Sequence, residues 1–477
     1  MLIVEERGYF WPNDVPIPER AIAPDSAVAG TLKIDDDDII RLELDSRLTP
    51  ERQFGAGNVI IQGILKSSDD RVLLHNASYG GGTVYKSNGI SYEHFTGEAC
   101  LIGRRAFASG NADLTFSKMV VPLHGFEEWL RLGSINIKVE DATFSAVYEP
   151  IEDFSYSLDD GSVSIKYDID IPPFSMRADA ISVKERARLS YSFNEPLTLT
   201  EIIAQFHNLE EFFIILTDSE YNMKWPEVTL GLEASTYILY FLRRKTTSEP
   251  PGMRDLITNF AQLKERFPAI HNMWKQKRAK FDAGFYLYTG TRRGMKFYAE
   301  HKFVNLIWGI ETFHRAKYPE RPASARLEKK IQRIKAQIAK SADRNWISWC
   351  IRQAHVTEPN LETRIAEVLR TLPIEWVEEG VKKFAHECAE IRNDVSHFGG
   401  RRRTHGSYGE MIVDMTRKSR ILRRLYHMVI ILEIEVHEGL LREWFYKGFS
   451  SYPIRQLMVT AGMLVREDDA AVPAAVA

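Results

Sequence analysis

The chain has 477 residues, 44% of them hydrophobic and 27% charged, with a formal net charge of −3. Single hydrophobic cores usually stop growing near ~250–300 residues, so this length predicts two domains, and the composition excludes a disordered or membrane-embedded chain. No window reaches ~18 unbroken apolar residues, the start at Met1 lacks the basic residues of a secretory signal, and Cys100, Cys350 and Cys388 form no CxxC pair, so a cytoplasmic protein without membrane partner, disulfide framework or thiolate zinc site is expected.

Up to about residue 195, short β segments alternate with turn residues. Residues 59–65, 135–139 and 163–167 carry apolar or alternating runs, and Gly80-Gly81-Gly82 and Asp159-Asp160-Gly161 are read as turns. Many strands at this spacing predict an antiparallel sandwich or barrel. The acidic run 35–38 lacks the ligand spacing of a calcium loop and reads as a solvated hairpin turn. Thr198-Leu199-Thr200-Glu201 has the capping-box pattern and opens a helix whose Ile202, Phe206, Leu209, Phe213 and Leu216 share one face. Two strand-like runs follow, 228–232 and 236–242.

After Pro250-Pro251-Gly252 and a mixed stretch, the pattern turns helical from about Arg293. Helices are predicted over 295–317, 325–340, 345–355, 361–372, 374–397 and about 408–444, with Pro319, Pro359, Pro373 and Gly399-Gly400 as breaks. Trp346, Trp349, Trp376 and Trp444 fall on or beside apolar stripes and are expected in the core. Tyr452-Pro453 is read as the end of the helical pattern, and the last residues as a disordered tail. The domains are therefore set at 1–285, a β-rich part, and 286–455, a helical part, with 456–477 as tail.

Charge divides along the same line. Residues 1–240 hold 20 Lys and Arg against 38 Asp and Glu, a balance of −18, whereas residues 241–477 hold 42 against 27, a balance of +15. A polyanion would be held by the second half; equally, the two halves could simply attract each other.

The helix over 374–397 carries the chemistry. Its apolar residues Ile374, Val377, Val381, Phe384, Cys388, Ile391, Val395 and Phe398 recur at steps of three and four, which makes one buried face. At about 100° per residue, His386, Glu390, Asn393 and His397 lie on one line opposite that stripe. Arg392 sits about 100° from the line, with a side chain long enough to swing toward it. His386, Glu390 and His397 could ligate a metal, but an i, i+4 His–Glu pair is common on exposed helices and nothing nearby completes the set. Arg401, Arg402 and Arg403, beyond the glycine stop, suit RNA phosphates or a solvated loop equally.

The segment Arg392-Asn393-Asp394-Val395-Ser396-His397 resembles the RxxxxH signature of HEPN domains, helical modules of RNA-cleaving toxins and defence proteins. Arg266 to His271 and Arg420 to His427 match the loose form of the pattern too. The first contains Pro268 and no evident helical register, and the second lies inside a long helix. The order of Gly30-Thr31-Leu32, Ile60-Ile61-Gln62-Gly63, Phe126-Glu127-Glu128-Trp129-Leu130 and Trp308-Gly309-Ile310-Glu311-Thr312-Phe313-His314 before that motif is similar to the ApeA family of bacterial anti-phage proteins.

The resemblance implies an α+β chain: an N-terminal antiparallel β-sandwich or barrel-like sensor domain followed by an all-α HEPN bundle. It implies an endoribonuclease with no metal or nucleotide cofactor, pairing as a homodimer or higher even oligomer through the HEPN domain. RNA is the implied substrate, tRNA among the candidates, and a phage-derived signal the implied trigger. His397, with an ordinary pKa near neutrality, suits proton transfer, and Arg392 suits charge stabilisation on the phosphorane. Asn393 would orient the phosphate or the histidine, and His386 and Glu390 would stand behind them. The open alternative is a non-catalytic HEPN scaffold that binds nucleotide, RNA or another ligand.

Overall fold

The computed structural model describes residues 2–48, 58–85, 90–108, 110, 114–140, 143–170, 183–231, 235–243, 249–293, 297–319, 325–353, 358–398 and 407–466. The chain divides into two compact units, Met1–Glu211 with Tyr221–Pro250, and Phe212–Glu220 with Pro251–Ala477. Arg401 to Arg403, the glycine pair at 399 and 400, the end of the expected tail from 467, and the side chain of His397 lie outside the described residues.

The first unit is built on β1 (Leu2–Pro12), β2 (Val28–Asp35), β3 (Ile40–Leu44), β4 (Val59–Leu65), β5 (Arg71–Tyr85), β6 (Ile90–Gly97), β7 (Ala99–Gly103) and β8 (Thr115–Pro122). A one-turn helix α1 (Glu127–Leu130) precedes β9 (Ile135–Glu140), β10 (Thr143–Tyr148), β11 (Phe154–Leu158), β12 (Gly161–Asp170) and β13 (Lys184–Thr198). Helix α2 (Leu199–Thr217) leads to β14 (Glu227–Leu230) and β15 (Ser235–Phe241). Thr198 and Glu201 form the expected reciprocal cap at the start of α2.

The strands form a barrel because β5 is long enough to serve two neighbours. Its first half pairs with β4 and β7 and its second half with β6, which also pairs with β3. The ring β1-β2-β3-β6-β5-β4 is thus closed and antiparallel, and from β5 the sheet continues through β7, β15, β14, β8, β13 and β12 to β11. Alternation fills the ring: Ile40, Leu42 and Leu44 point inward with Leu32, Ile34, Ile61, Leu74 and Phe95, while Arg41 and Glu43 face solvent.

Two turn assignments change. Gly80 to Gly82 lie within β5, where a register shift after Tyr79 bulges the strand and Gly81 takes φ +140°, a conformation that favours glycine. The run 35–38 is a hairpin turn, but Asp38 is buried rather than solvated, because its carboxylate accepts from the Arg243 guanidinium and backbone N–H. A mixed-charge cleft of about 490 Å³, lined by His124, Glu127, Lys184, Arg186 and Glu227 among others, also lies in this unit.

The second unit contains α3 (Phe260–Leu263), α4 (Phe267–Phe281), α5 (Ala283–Gly290), α6 (Ala299–Lys317), α7 (Ala325–Ala336), α8 (Ser341–Gln353), α9 (Leu361–Leu369), α10 (Glu378–Phe398), α11 (Tyr408–Glu433), α12 (Glu438–Lys447) and α13 (Tyr452–Thr460). Helix begins well before Arg293. Pro268 occupies the first turn of α4, where its missing N–H costs nothing, so Arg266 to His271 does have a helical register, with His271 buried. Pro453 likewise starts α13 instead of ending the pattern. The run 408–444 is broken at Glu435, with φ +64°, into α11 and α12. Among the described residues, no helix is long and apolar enough to cross a membrane.

Helix α6 packs against α4, α5, α9, α10 and α11. Around it, Phe281, Phe285, Phe313 and Tyr426 form a chain of tilted and edge-on rings. The Tyr426 hydroxyl reaches the carbonyls of Gly284 and Gly309, and Gly309 has no Cβ to keep its ring away. Trp444 is buried and Trp376 half-buried, but Trp346 and Trp349 are exposed, contrary to the expectation from their stripes. Helix α8 presents that stripe outward.

Helix α10 starts four residues later than its apolar spacing suggests. Ile374 is buried by packing ahead of the helix, and the Val377 N–H donates to the Met463 carbonyl (2.9 Å). Gly380 then passes so close to the Gly462 carbonyl that a Cβ would overlap it. Alanine improves helix propensity by about 1 kcal/mol, whereas forcing a methyl against fixed backbone costs about 3 kcal/mol. Gly380→Ala is therefore expected to lose about 2 kcal/mol in urea unfolding, and a more stable variant would refute this account of the α10 start.

A buried polar group joins distant parts of this unit. Asp218 takes Arg292 Nε and Arg424 Nη1 at 2.9 Å each and accepts from the Tyr288 hydroxyl at 2.6 Å. Burial alone would raise its carboxyl, but Arg292, Arg424 and Arg423 hold it well below the usual range. His427 of α11 is fully buried and donates from Nε2 to the Ile215 carbonyl (2.6 Å), and burial lowers its pKa to about 4.

Because the unfolded chain binds that proton near pH 6.5, His427 favours folding above pH 6.5, and this contribution is lost as pH falls toward about 4. The loss is on the order of 3 kcal/mol. His427→Gln should show a correspondingly flatter decline in Tm between pH 7 and pH 4.5; parallel declines would mean that the histidine is not neutral in the fold.

Candidate active site

Helix α10 has the character its sequence predicts. Val381, Phe384, Cys388 and Ala389 are buried, Ile391 and Val395 half-buried, and His386, Glu390 and Asn393 exposed. The polar line therefore faces away from the packed stripe. His386 Nδ1 lies 3.0 Å from Glu362 of α9, and its Nε2 lies 3.6 Å from Glu390. The hydrogen bond with Glu362 is the main reason its pKa is raised. These partners occupy His386 and Glu390 with each other and with α9.

Arg392 reaches the polar line only at Asn393. It lies between that line and the buried stripe, only about one-fifth exposed, with Nη2 donating to Glu311 Oε2 (3.2 Å) and Nη1 to Asn393 Oδ1 (3.0 Å). Its Nε is buried without a hydrogen-bond partner among the described residues. A guanidinium has five N–H donors in a fixed plane; two are spent on orientation and the Nε N–H is buried, which leaves one N–H on each Nη without a partner among the described residues. Asn393, in turn, gives its carbonyl to Arg392, and its amide N–H groups have no acceptor among the described residues.

Glu311 belongs to a larger charged set. On its own helix it accepts from Arg315, one turn on (3.1 Å), and it lies 4.0 Å from Arg364 of α9. Glu358 pairs with both Arg315 (2.6 Å) and Arg364, and Arg364 also donates to the Pro359 carbonyl (2.8 Å). Arg315, Arg364 and Arg392 thus share two carboxylates, which leaves the set with one excess positive charge. His314, buried beside Glu311 in the chain, pairs with Glu367 of α9 at 2.8 Å.

The structure brings Arg392 and Asn393 together and gives Arg392 a partner that the motif did not name. Glu311 and Arg315 are legible in sequence as an i, i+4 pair on a helix. The crossing of α6 over α10, which no local spacing encodes, makes Glu311 the anchor of Arg392. His397 is in the last turn of α10, five residues after Arg392. Among the described residues, no group of three or more His, Cys, Asp or Glu is gathered as a metal site.

Removing Glu311 would leave Arg392 with one partner and Arg364 dependent on Glu358. Loss of one member of a buried pair costs about 3–5 kcal/mol, reduced here by the remaining carboxylate. Glu311→Ala should therefore destabilise the protein by about 2 kcal/mol and Glu311→Gln by about half as much. Unchanged urea midpoints for both would place the network outside the folding energetics.

Comparison with known proteins supplies the family. Residues 5–274 match the model of ApeA N-terminal domain 1, more than half of the chain, and residues 304–439 match Apea-like HEPN. No curated protein and no solved structure matches. The second match spans most of α6 and all of α7 through α11, so it contains Glu311, Arg392 and His397 in one domain. The chain belongs to the ApeA family: it is a HEPN-type defence protein with an ApeA N-terminal domain and an Apea-like HEPN domain.

Proposed function

We propose that this protein is a metal-independent endoribonuclease whose HEPN domains pair to form a composite site and whose N-terminal domain senses infection and controls that site. The observation that supports it most is the state of Arg392: a partly buried guanidinium, fixed by Glu311 and Asn393, with N–H donors left over at the end of an amphipathic helix.

The reaction follows from what RNA offers. The 2′-hydroxyl attacks the adjacent phosphorus as the imidazole of His397 takes its proton, and the P–O5′ bond breaks as the partner's His397 protonates the leaving oxygen. The products are a 2′,3′-cyclic phosphate and a 5′-hydroxyl. Arg392 holds the non-bridging oxygens as negative charge builds on the phosphorane, and its orientation by Glu311 spares the reorganisation that a free arginine would need. Asn393 directs its amide toward the same phosphate. Arg401 to Arg403 follow in the chain and suit neighbouring phosphates. Cleavage of host RNA at such a site would halt growth of an infected cell, which is abortive infection.

The test is cleavage of total cellular RNA by the purified full chain in EDTA. Cleavage should persist, and Arg392→Ala and His397→Ala should each lower the rate about 100- to 1,000-fold; the unfolding free energy should stay within about 1 kcal/mol of wild type in His397→Ala and fall by about 2 kcal/mol in Arg392→Ala, which takes from Glu311 one of its three arginines. Loss of cleavage on chelation, or its survival in both variants, overturns the mechanism. Retained RNA binding in a wild type that never cleaves would instead identify a binding scaffold.

A further inference from the structure

Helices α7 and α8 lie between α6 and α9 in the chain and have no part in the motif. Their composition is lopsided: residues 325–353 contain eight Lys and Arg against two Asp and Glu. Lys329, Lys330, Arg333, Lys340 and Arg344 are exposed. On α8, Trp346 and Trp349 stand three residues apart, hence on one face, and are 64% and 52% exposed. Single exposed apolar side chains need no explanation, but two tryptophans uncovered on one helix face do.

Helices α7 and α8 fall between the end of α6 and Glu358, and the Arg315–Glu358 pair joins the two ends of that stretch. Arg315 also shares Glu311 with Arg392. The exposed helices are therefore rooted in the charged set that orients the candidate catalytic arginine.

We propose that α7 and α8 are the docking surface for single-stranded RNA, with Trp346 and Trp349 stacking on bases and the surrounding lysines and arginines holding phosphates. This rests on the endoribonuclease reading for the identity of the ligand and adds where that ligand is gripped. Charge selects the occupant. A second copy of the same surface would bring like charge against like, whereas a polyanion with planar bases complements both features. Stacking tolerates any base, so the surface accepts loops and unpaired segments rather than duplex, whose bases are already stacked.

The experiment uses the full chain carrying His397→Ala, so that RNA is bound and not cut, and measures fluorescence anisotropy of a labelled RNA of about 12 mixed-sequence nucleotides, a length matched to a single-strand binding site, over roughly 50 to 200 mM KCl. Trp346→Ala and Trp349→Ala should each weaken binding about 5- to 100-fold, and Trp→Tyr at the same positions should recover most of it. Reversing Lys329, Lys330 and Arg333 to Glu should make the slope of log affinity against log salt shallower by about 0.7 for each phosphate no longer neutralised.

Wild-type affinity in the double Trp→Ala variant overturns the proposal. So does a fall in oligomeric mass with RNA affinity unchanged, which would make the face an interface between copies. Loss of binding to phosphatidylserine vesicles with RNA affinity unchanged would make it a membrane surface and overturns it equally. If the variants lose RNA binding while the protein with His397 intact cuts nothing, the docking surface stands and the nuclease reading fails; cleavage intact with binding indifferent to both tryptophans gives the reverse.

Discussion

Glu311 occupies the face of α6 that meets both α9 and α10, and at such a crossing a carboxylate survives only if cations surround it. Arg392, Arg315 and Arg364 do so, and each is fixed by the same acid. The consequence runs in two directions. Packing of α6 decides where the Arg392 guanidinium points, and the arginines in turn keep α6, α9 and α10 in register. A lysine in place of Arg392 could reach Glu311, but it could not also hold Asn393 and present a planar edge. The orientation of Arg392 thus depends on an ion pair whose first task is structural.

The same helical unit contains a second buried charged group of a different character. Asp218, Arg292, Arg424, Tyr288 and His427 are almost wholly removed from water. They tie the short segment Phe212–Glu220 to α11 and to the end of α5, across about two hundred residues of sequence. The Glu311 group, by contrast, is partly open, Arg392 within it retains spare donors, and it lies at a helix end. Closure suits a fastening element and openness suits a site. His427 belongs to the first kind, which is why the Arg420 to His427 match to the motif carries no chemistry: its imidazole is committed to a backbone carbonyl and held neutral.

In the first unit the governing constraint is β5, which must bulge at Gly81 in order to serve one set of neighbours with its first half and another with its second. Closure of the ring gives each of β1 to β6 a neighbour on both sides over at least part of its length, while the strands from β7 onward extend the sheet outward. Local reading mistook the glycines for a turn because a bulge and a turn ask for the same backbone freedom. Only pairing distinguishes them.

Much was legible from periodicity. The strand over Val59–Leu65, the capped α2, the α+β class and the face that α10 buries all follow from spacings of two and of three to four, because those spacings are set by backbone geometry within a single element. The Arg392 to His397 motif and its place at a helix end belong to the same class of information. What the sequence left open depends on partners. The late start of α10 is decided by Met463 and Gly462, the burial of Asp38 by Arg243, and the exposure of Trp346 and Trp349 by the absence, among the described residues, of any helix covering α8's apolar stripe. An apolar stripe states that a face would prefer to be covered. Whether anything covers it, and whether Arg392 meets Glu311, is settled only when elements distant in the chain are brought together, since side-chain pairings across tertiary crossings leave no period in the sequence.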